Sequence, residues 1–353
     1  MSESKAKNML QKLSLTPRKN HENEGPRAPE TEEELLQKLK AFNEDKDYLH
    51  IWTTYEKLAI LIEERAMAGD KTKKGEYGKQ MFYCQGAAQA LVKLWKRDSD
   101  LPFEQFVGGD VSRLYHKALD VAVRHMDATI VHTVAREGGV ALMSIDKYME
   151  ARDVFVRGEQ QLVAVPSDDL PDFLERLIVL YGIMDSLLIE ERWNEYMVYT
   201  DKIWMMTMKE EKRSPLLDNI IKEVEQVAVL LLVFQRRVEC SERHKQLLAS
   251  YRTDEWSAPM TKHDPLLSSL NPSEQKVFRR FLFHMTSRLR SIDKCSQMIP
   301  KISEEVLRPL RIEAFNDNEN LRNLSHVAIY SRTAINFFLH SSINYSPFLY
   351  LRP

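Results

Sequence analysis

Apolar residues recur along most of this chain at intervals of three and four, the spacing of helices that bury one stripe. Thr31 followed by Glu32, Glu33 and Glu34 reads as a helix N-cap with an acidic first turn, and Leu35, Leu36, Leu39 and Phe42 continue at helical spacing. Tyr48–Met67 places Trp52, Tyr55, Leu58, Ala59 and Ile62 on one stripe, and a lysine-rich loop from Gly69 to Gly75 closes that helix. Tyr77–Trp95 repeats the pattern with Phe82, Ala87, Ala90, Leu91 and Leu94. Gly108 and Gly109 precede Asp110, which reads as the N-cap of a long helix carrying Leu114, Ala118, Val121, Ala122 and His125 and ending at Gly138 and Gly139. Ser144–Leu162 presents Tyr148, Ala151 and Phe155. Ser167, Asp168 and Asp169 open a helix with Leu174, Leu177, Ile178 and Tyr181 inward, and after a break at Glu190–Arg192, Trp193–Met208 carries Tyr196, Thr200, Ile203 and Trp204.

From Leu216 a single helix is predicted to run toward Tyr251, and its stretch Val224–Phe234 is apolar on nearly every side, as in a helix enclosed between two layers. Pro259, Pro265 and Pro272 punctuate a linker over 259–272, followed by helices over 273–315, the second of them kinked by Pro309. Residues 1–30 hold too little apolar surface to offset the entropy of ordering and read as a disordered tail. For 316–353, with Phe337, Phe338, Tyr345, Phe348 and Tyr350, three readings stay open: a flexible tail, a cover for the chain's own core, or a segment that docks on a partner. The predicted fold is all-α, an irregular tetratricopeptide-like helical-hairpin solenoid over 31–258 with C-terminal helices of the same domain. The repeat is degenerate, since Tyr148 and Tyr196 stand 48 apart, against roughly 34 in a regular tetratricopeptide array.

Glycine use supports the absence of sheet. All 11 glycines lie at or before Gly182, and tight β-turns need such residues for positive φ. Lysine plus arginine number 50 and aspartate plus glutamate 52, a balance that argues against a nucleic-acid-coating or anionic-membrane protein. The longest apolar run, Val227–Phe234, is eight residues, where roughly 20 are needed to cross a bilayer as a helix. Cys84, Cys240 and Cys295 are widely spaced and odd in number, which fits a reducing compartment. With no secretion signal evident, a cytoplasmic or nuclear protein is expected.

Catalysis needs a constellation, and the chain contains no phosphate-binding glycine loop, no H-E-x-x-H and no G-x-S-x-G. Neither an enzymatic activity nor a cofactor is therefore expected. His116, His125 and His132 would share one predicted helix, but their spacing lacks the i, i+4 pair that suits a metal, and interhelical hydrogen bonding is the preferred reading. Met205, Met206 and Met208 beside Trp204 fit either core filler, the preferred reading, or an adaptable binding surface. The charged stretches Lys209–Arg213 and Arg236–Arg243 read as solvated helix ends.

The runs VEQVAVLLLVFQ from Val224, HKQLLASY from His244, NPSEQKVFRRFLFHM from Asn271 and SEEVLRPLRIEAF from Ser303 resemble, in helix order and hydrophobic pattern, the 40-kDa huntingtin-associated protein (factor VIII intron 22 protein) family. Upstream, YMEARDVFVRGEQQL and WNEYMVYTDKIWMM look like that family's hairpin helices. The chain departs from the mammalian pattern in lacking a long proline-rich insertion before the buried helix. The resemblance implies a scaffold that binds and stabilises a large HEAT-repeat protein of huntingtin type, with a link to an early-endosomal Rab GTPase and endosome transport. On position, Leu307, Leu310 and Ala314 share one face of the last helix and are the candidate partner contacts; capping of the solenoid's own core is the competing reading. A tetratricopeptide-like subunit of another assembly, or an enzyme without a recognisable motif, are the alternatives.

Overall fold

A computed structural model describes residues 30–68, 73–97, 106–166, 169–209 and 239–250, together with single helical residues at 221, 224, 225, 228 and 231. The described helices are α1 (Glu32–Glu44), α2 (Tyr48–Met67), α3 (Lys73–Arg97), α4 (Phe106–His125), α5 (Ala128–Met143), α6 (Tyr148–Gln161), α7 (Phe173–Ile189), α8 (Trp193–Met208) and α9 (Glu242–Ser250). No strand occurs among the described residues. The all-α hairpin architecture expected from the apolar spacing is what the described residues adopt. These residues form two compact units, one running to Glu150 and including Arg157–Pro171, the other comprising Ala151–Val156 and the described chain from Asp172 onward.

From α1 to α5 each helix packs on the next, and α3 also reaches α5. Polar pairs stitch alternate helices together. Glu56 and Glu63 on α2 meet Arg113 and Lys117 on α4, and Asp120 on α4 meets Arg157 on α6. On the other layer, Glu32 of α1 accepts from Lys79 and Tyr83 of α3, and Gln85 of α3 donates to Glu137 of α5. Two layers of helices, odd and even in chain order, follow from this pattern, and the aliphatic and tyrosine core lies between them: Leu58, Ile62, Leu91, Leu94, Leu114, Tyr115 and Ala135 are all buried.

The turns repeat one device. Lys46 and Asp146 in the first unit, and Glu191 in the second, adopt φ of 52°, 59° and 58°. At each, the next residue's N–H donates to the carbonyl five residues back: Asp47 to Phe42, Lys147 to Leu142, Arg192 to Leu187. This is the Schellman closure, which satisfies helix-end carbonyls with one left-handed residue. An aromatic residue follows two positions later each time, at Tyr48, Tyr148 and Trp193, opening the next helix.

Aromatic rings against glycines set the helix spacing. A β-carbon on Gly86 of α3 would sit 2.8 Å from the Tyr55 ring of α2, and one on Gly138 of α5 would sit 2.8 Å from the Tyr115 ring of α4. In the second unit Gly182 of α7 receives the ring of Phe155 in the same way. Those rings explain two departures from the sequence reading. Gly138 and Gly139 lie buried inside α5 and do not end a helix, because Tyr115 occupies the space a side chain would fill. The true break lies earlier, at Met126 and Asp127, so His125 and His132 stand on different helices.

Other boundaries also shift. Asp110 lies inside α4, which starts at Phe106 and includes both glycines; the cost of glycine there, about 1 kcal/mol each, is offset by the burial of Val111, Leu114, Ala118 and Ala122. Gly75 belongs to α3 and not to the loop before it. Ser144 caps the end of α5, its hydroxyl donating to the Ala141 carbonyl at 2.6 Å, so α6 opens at Tyr148. Helix α7 opens at Phe173, after Pro171, with Asp172 at the N-cap position. Phe82 faces outward, 58% exposed, beside Tyr55 and Tyr83, and Leu36 is exposed as well. The expected unbroken helix from Leu216 to Tyr251 is interrupted at residues 239–241. Of its apolar stretch the described Val224, Ala228 and Leu231 are buried. Enclosure on all sides also belongs to α7, whose residues from Leu177 to Leu188 are buried without exception, Asp185 and Ser186 included.

Candidate interaction surface

The sequence of α8 divides the helix into two faces. Tyr196, Met197, Thr200, Ile203, Met206 and Thr207 are buried, while Val198 (56%), Met205 (59%) and Met208 (56%) are exposed. The methionine group therefore splits: Met206 is core, and its two neighbours are surface. Val198, Lys202, Met205 and Lys209 follow at i, i+4, i+7 and i+11, one straight stripe on a helix of 3.6 residues per turn. Lys202 Nζ lies 4.4 Å from the centre of the Tyr199 ring. The acids of α8 are engaged elsewhere, Glu195 with Arg192 and Asp201 with Ser241 and Arg243, so the stripe is apolar and cationic.

A polar cluster fixes the buried face of α8 against α9. Ser241 is the residue before α9, and its Oγ accepts the His244 backbone N–H at 3.4 Å while its own backbone N–H donates to His244 Nδ1 at 3.2 Å. That reciprocal pair is a capping box with histidine in the place usually taken by glutamate, and it is the local cause of the break before α9. The Thr200 hydroxyl donates to the Met197 carbonyl at 2.7 Å, which assigns the histidine proton to Nε2, 2.6 Å from Thr200 Oγ. Ser241 Oγ lies 2.8 Å from Nδ1 and 3.2 Å from Asp201 Oδ1. Burial holds the His244 pKa below the usual imidazole value, with the cation of Arg243 acting in the same sense and Asp201 opposing it. With Thr200 and His244 each 1% exposed, the hydroxyl and the neutral imidazole serve as a packing joint, and the Asp201 carboxylate beside them is paired with Ser241 and Arg243.

Arg243 is not a solvated helix end. Its guanidinium reaches Glu225 at 3.2 Å and Asp201 at 3.5 Å and lies 3.9 Å from the centre of the Trp204 ring. Burial lowers its pKa and raises that of Glu225, each against the pull of the other charge. Of the remaining charged residues singled out by sequence, Lys209 is exposed at the end of α8, and Glu210–Arg213 lie outside the described residues.

His116 Nδ1 lies 3.4 Å from Arg157, His125 stacks on Tyr77 with ring centres 3.6 Å apart, and His132 is buried in α5. They are not brought together. Among the described residues no group of three or more His, Cys, Asp or Glu is placed to hold a metal. Cys84 is buried, and burial pushes its thiol up to about 11, far from the thiolate needed for nucleophilic chemistry. Cys240 is a half-buried free thiol, and Cys295 lies outside the described residues. So do the candidate partner contacts Leu307, Leu310 and Ala314, the 259–315 segment, residues 1–29 of the expected N-terminal tail and the whole of 316–353; Glu30, the last residue of that expected tail, is placed and pairs with Lys38 and Lys57. The signal for the stripe on α8 in the sequence is the i, i+7, i+10 spacing of Val198, Met205 and Met208, out of phase with Tyr196, Thr200 and Ile203.

The chain is 75% identical over 294 residues, 83% of its length and 98% of its relative's, to uncharacterized protein T09A5.4 of Caenorhabditis elegans. The two belong to one family. No family model and no solved structure matches the chain. Among the described residues no helix is long and apolar enough to cross a membrane.

Proposed function

We propose that this chain is a non-catalytic scaffold that binds and stabilises a large HEAT-repeat protein of huntingtin type and links it to endosome transport. The observation that carries the reading is the two-sided build of α8, with a core face locked by His244 and Thr200 and an outward face of Val198, Met205 and Met208. Stacked hairpins present long helical faces of this kind, and methionines on such a face repack to suit a partner. The resemblance, most visible from Glu223 to Phe315, supplies the partner class, and an early-endosomal Rab GTPase is the second partner it suggests.

Affinity purification of the full chain from cells tests this. Recovery of one very large HEAT-repeat protein in near-equal amount is the expected result. Recovery of only small or unrelated proteins removes the huntingtin-type partner and favours a subunit of another assembly.

A further inference from the structure

We infer that the outward stripe of α8 docks an acidic amphipathic helix of a partner protein. This rests on the scaffold reading and specifies the chemistry of one of its contacts.

Val198, Met205 and Met208 give an apolar strip along three turns of a helix, more than half exposed at each position. Single exposed apolar residues are ordinary, but three on one face of one helix form the kind of ridge that a partner covers. The charges flanking that strip decide the occupant. Lys202 and Lys209 stand seven residues apart on the same line, a rise of about 10 Å, whereas Asp201 and Glu195 are neutralised by Arg243 and Arg192. A helix laid along the strip matches it with its own apolar ridge and with carboxylates about two turns apart over the two ammonium groups. Lys202 is held over the Tyr199 ring, which limits the side-chain freedom lost when a carboxylate arrives. The opposite face of the helix is anchored through Thr200 and His244, so the strip is presented on a fixed support and not on a fraying end.

The test uses the full chain and three probes: a fluorescent helical peptide of leucine and glutamate heptads about six turns long, the same peptide with lysine for glutamate, and vesicles of phosphatidylcholine with phosphatidylserine. The glutamate peptide is expected to bind, to weaken with salt, and to lose at least about tenfold in affinity against Lys202→Glu/Lys209→Glu. That variant is expected to gain affinity for the lysine peptide, and Met205→Ser/Met208→Ser to weaken both. Unchanged helical circular dichroism in each variant shows that the fold is kept. Equal binding of the two peptides, indifference to the substitutions, or preference for the anionic vesicles overturns the assignment. The same variants used as bait separate the two claims. If the large partner is recovered with Lys202→Glu/Lys209→Glu as with the parent chain, the site on α8 falls and the scaffold stands; if neither recovers it, the scaffold reading itself falls.

Discussion

His244 Nε2 lies 2.6 Å from the Thr200 hydroxyl, and that contact joins α8 to α9 inside the second unit. A histidine in this position is a neutral donor: Nδ1 is already the acceptor of the Ser241 N–H, so a second proton would displace a backbone bond that caps α9.

Stability of the α8–α9 joint is therefore expected to depend on pH. The folded-state pKa of His244 is lowered from the ordinary 6.5, so the unfolded chain takes up the proton first. Its contribution is complete above about 6.5 and declines as pH falls below that value. Hydrogen-exchange protection of the α9 amides, taken relative to their intrinsic exchange rates, should fall between neutral and mildly acidic pH in the parent and stay constant in His244→Gln. Thr200→Val, which leaves the Nε2–H without its acceptor, is expected to cost about 1–3 kcal/mol in denaturant unfolding.

Glu30 and Glu32 hold α1 on the helices behind it. Hydrogen bonds from Lys38 and Lys57 bring the Glu30 pKa down to about 2. Burial raises that of Glu32, but Arg65, Lys79 and Tyr83 outweigh it and leave it lowered. Both carboxylates have depressed folded pKa values, so their stabilisation is present above about 4.5 and declines as pH falls below that value, for Glu30 down to about 2. Limited proteolysis should release α1 earlier from Glu32→Gln than from the parent at neutral pH, and the two should converge in acid.

Glycine substitutions should divide by what lies opposite them. Gly182→Ala drives a methyl into the Phe155 ring, and overpacking of this kind costs about 1–3 kcal/mol. Gly109→Ala meets nothing within 4 Å inside α4 and should stabilise by about 0.5–1 kcal/mol. Thermal melts of the two variants should move in opposite directions.

At the three Schellman turns, glycine relieves a side chain held at positive φ. Lys46→Gly, Asp146→Gly and Glu191→Gly are each expected to stabilise by up to about 1 kcal/mol, and Lys46→Val to destabilise by about 1–2 kcal/mol. A loss of stability in all three glycine variants would show that side-chain contacts at these turns outweigh the backbone conformation.

Helix type and order were legible because burial on one side of a helix leaves a local record. The ends of Tyr48–Met67 and Trp193–Met208 can be read directly, since aromatic residues open both and short polar breaks bound them. Gly138 and Gly139 misled because a glycine that admits a distant ring looks, in sequence, like a glycine that ends a helix. Phe82 misled in the other direction, since aromatic character marks apolar surface and not the side on which it is spent. Arg243 and His244 sit in a charged stretch whose spacing suggests solvent, and only the approach of Asp201, Glu225 and Trp204 draws them inward.

What the sequence determined by itself was an all-helical chain of hairpins, because the periodicity of apolar residues and the capping chemistry act within a few residues of one another. The tertiary structure alone decided what the inner face of α8 packs against and which histidine becomes a structural joint. Those outcomes depend on groups more than forty residues apart, Thr200 with His244 and Asp201 with Arg243, and contacts at that distance leave no periodic trace in either segment.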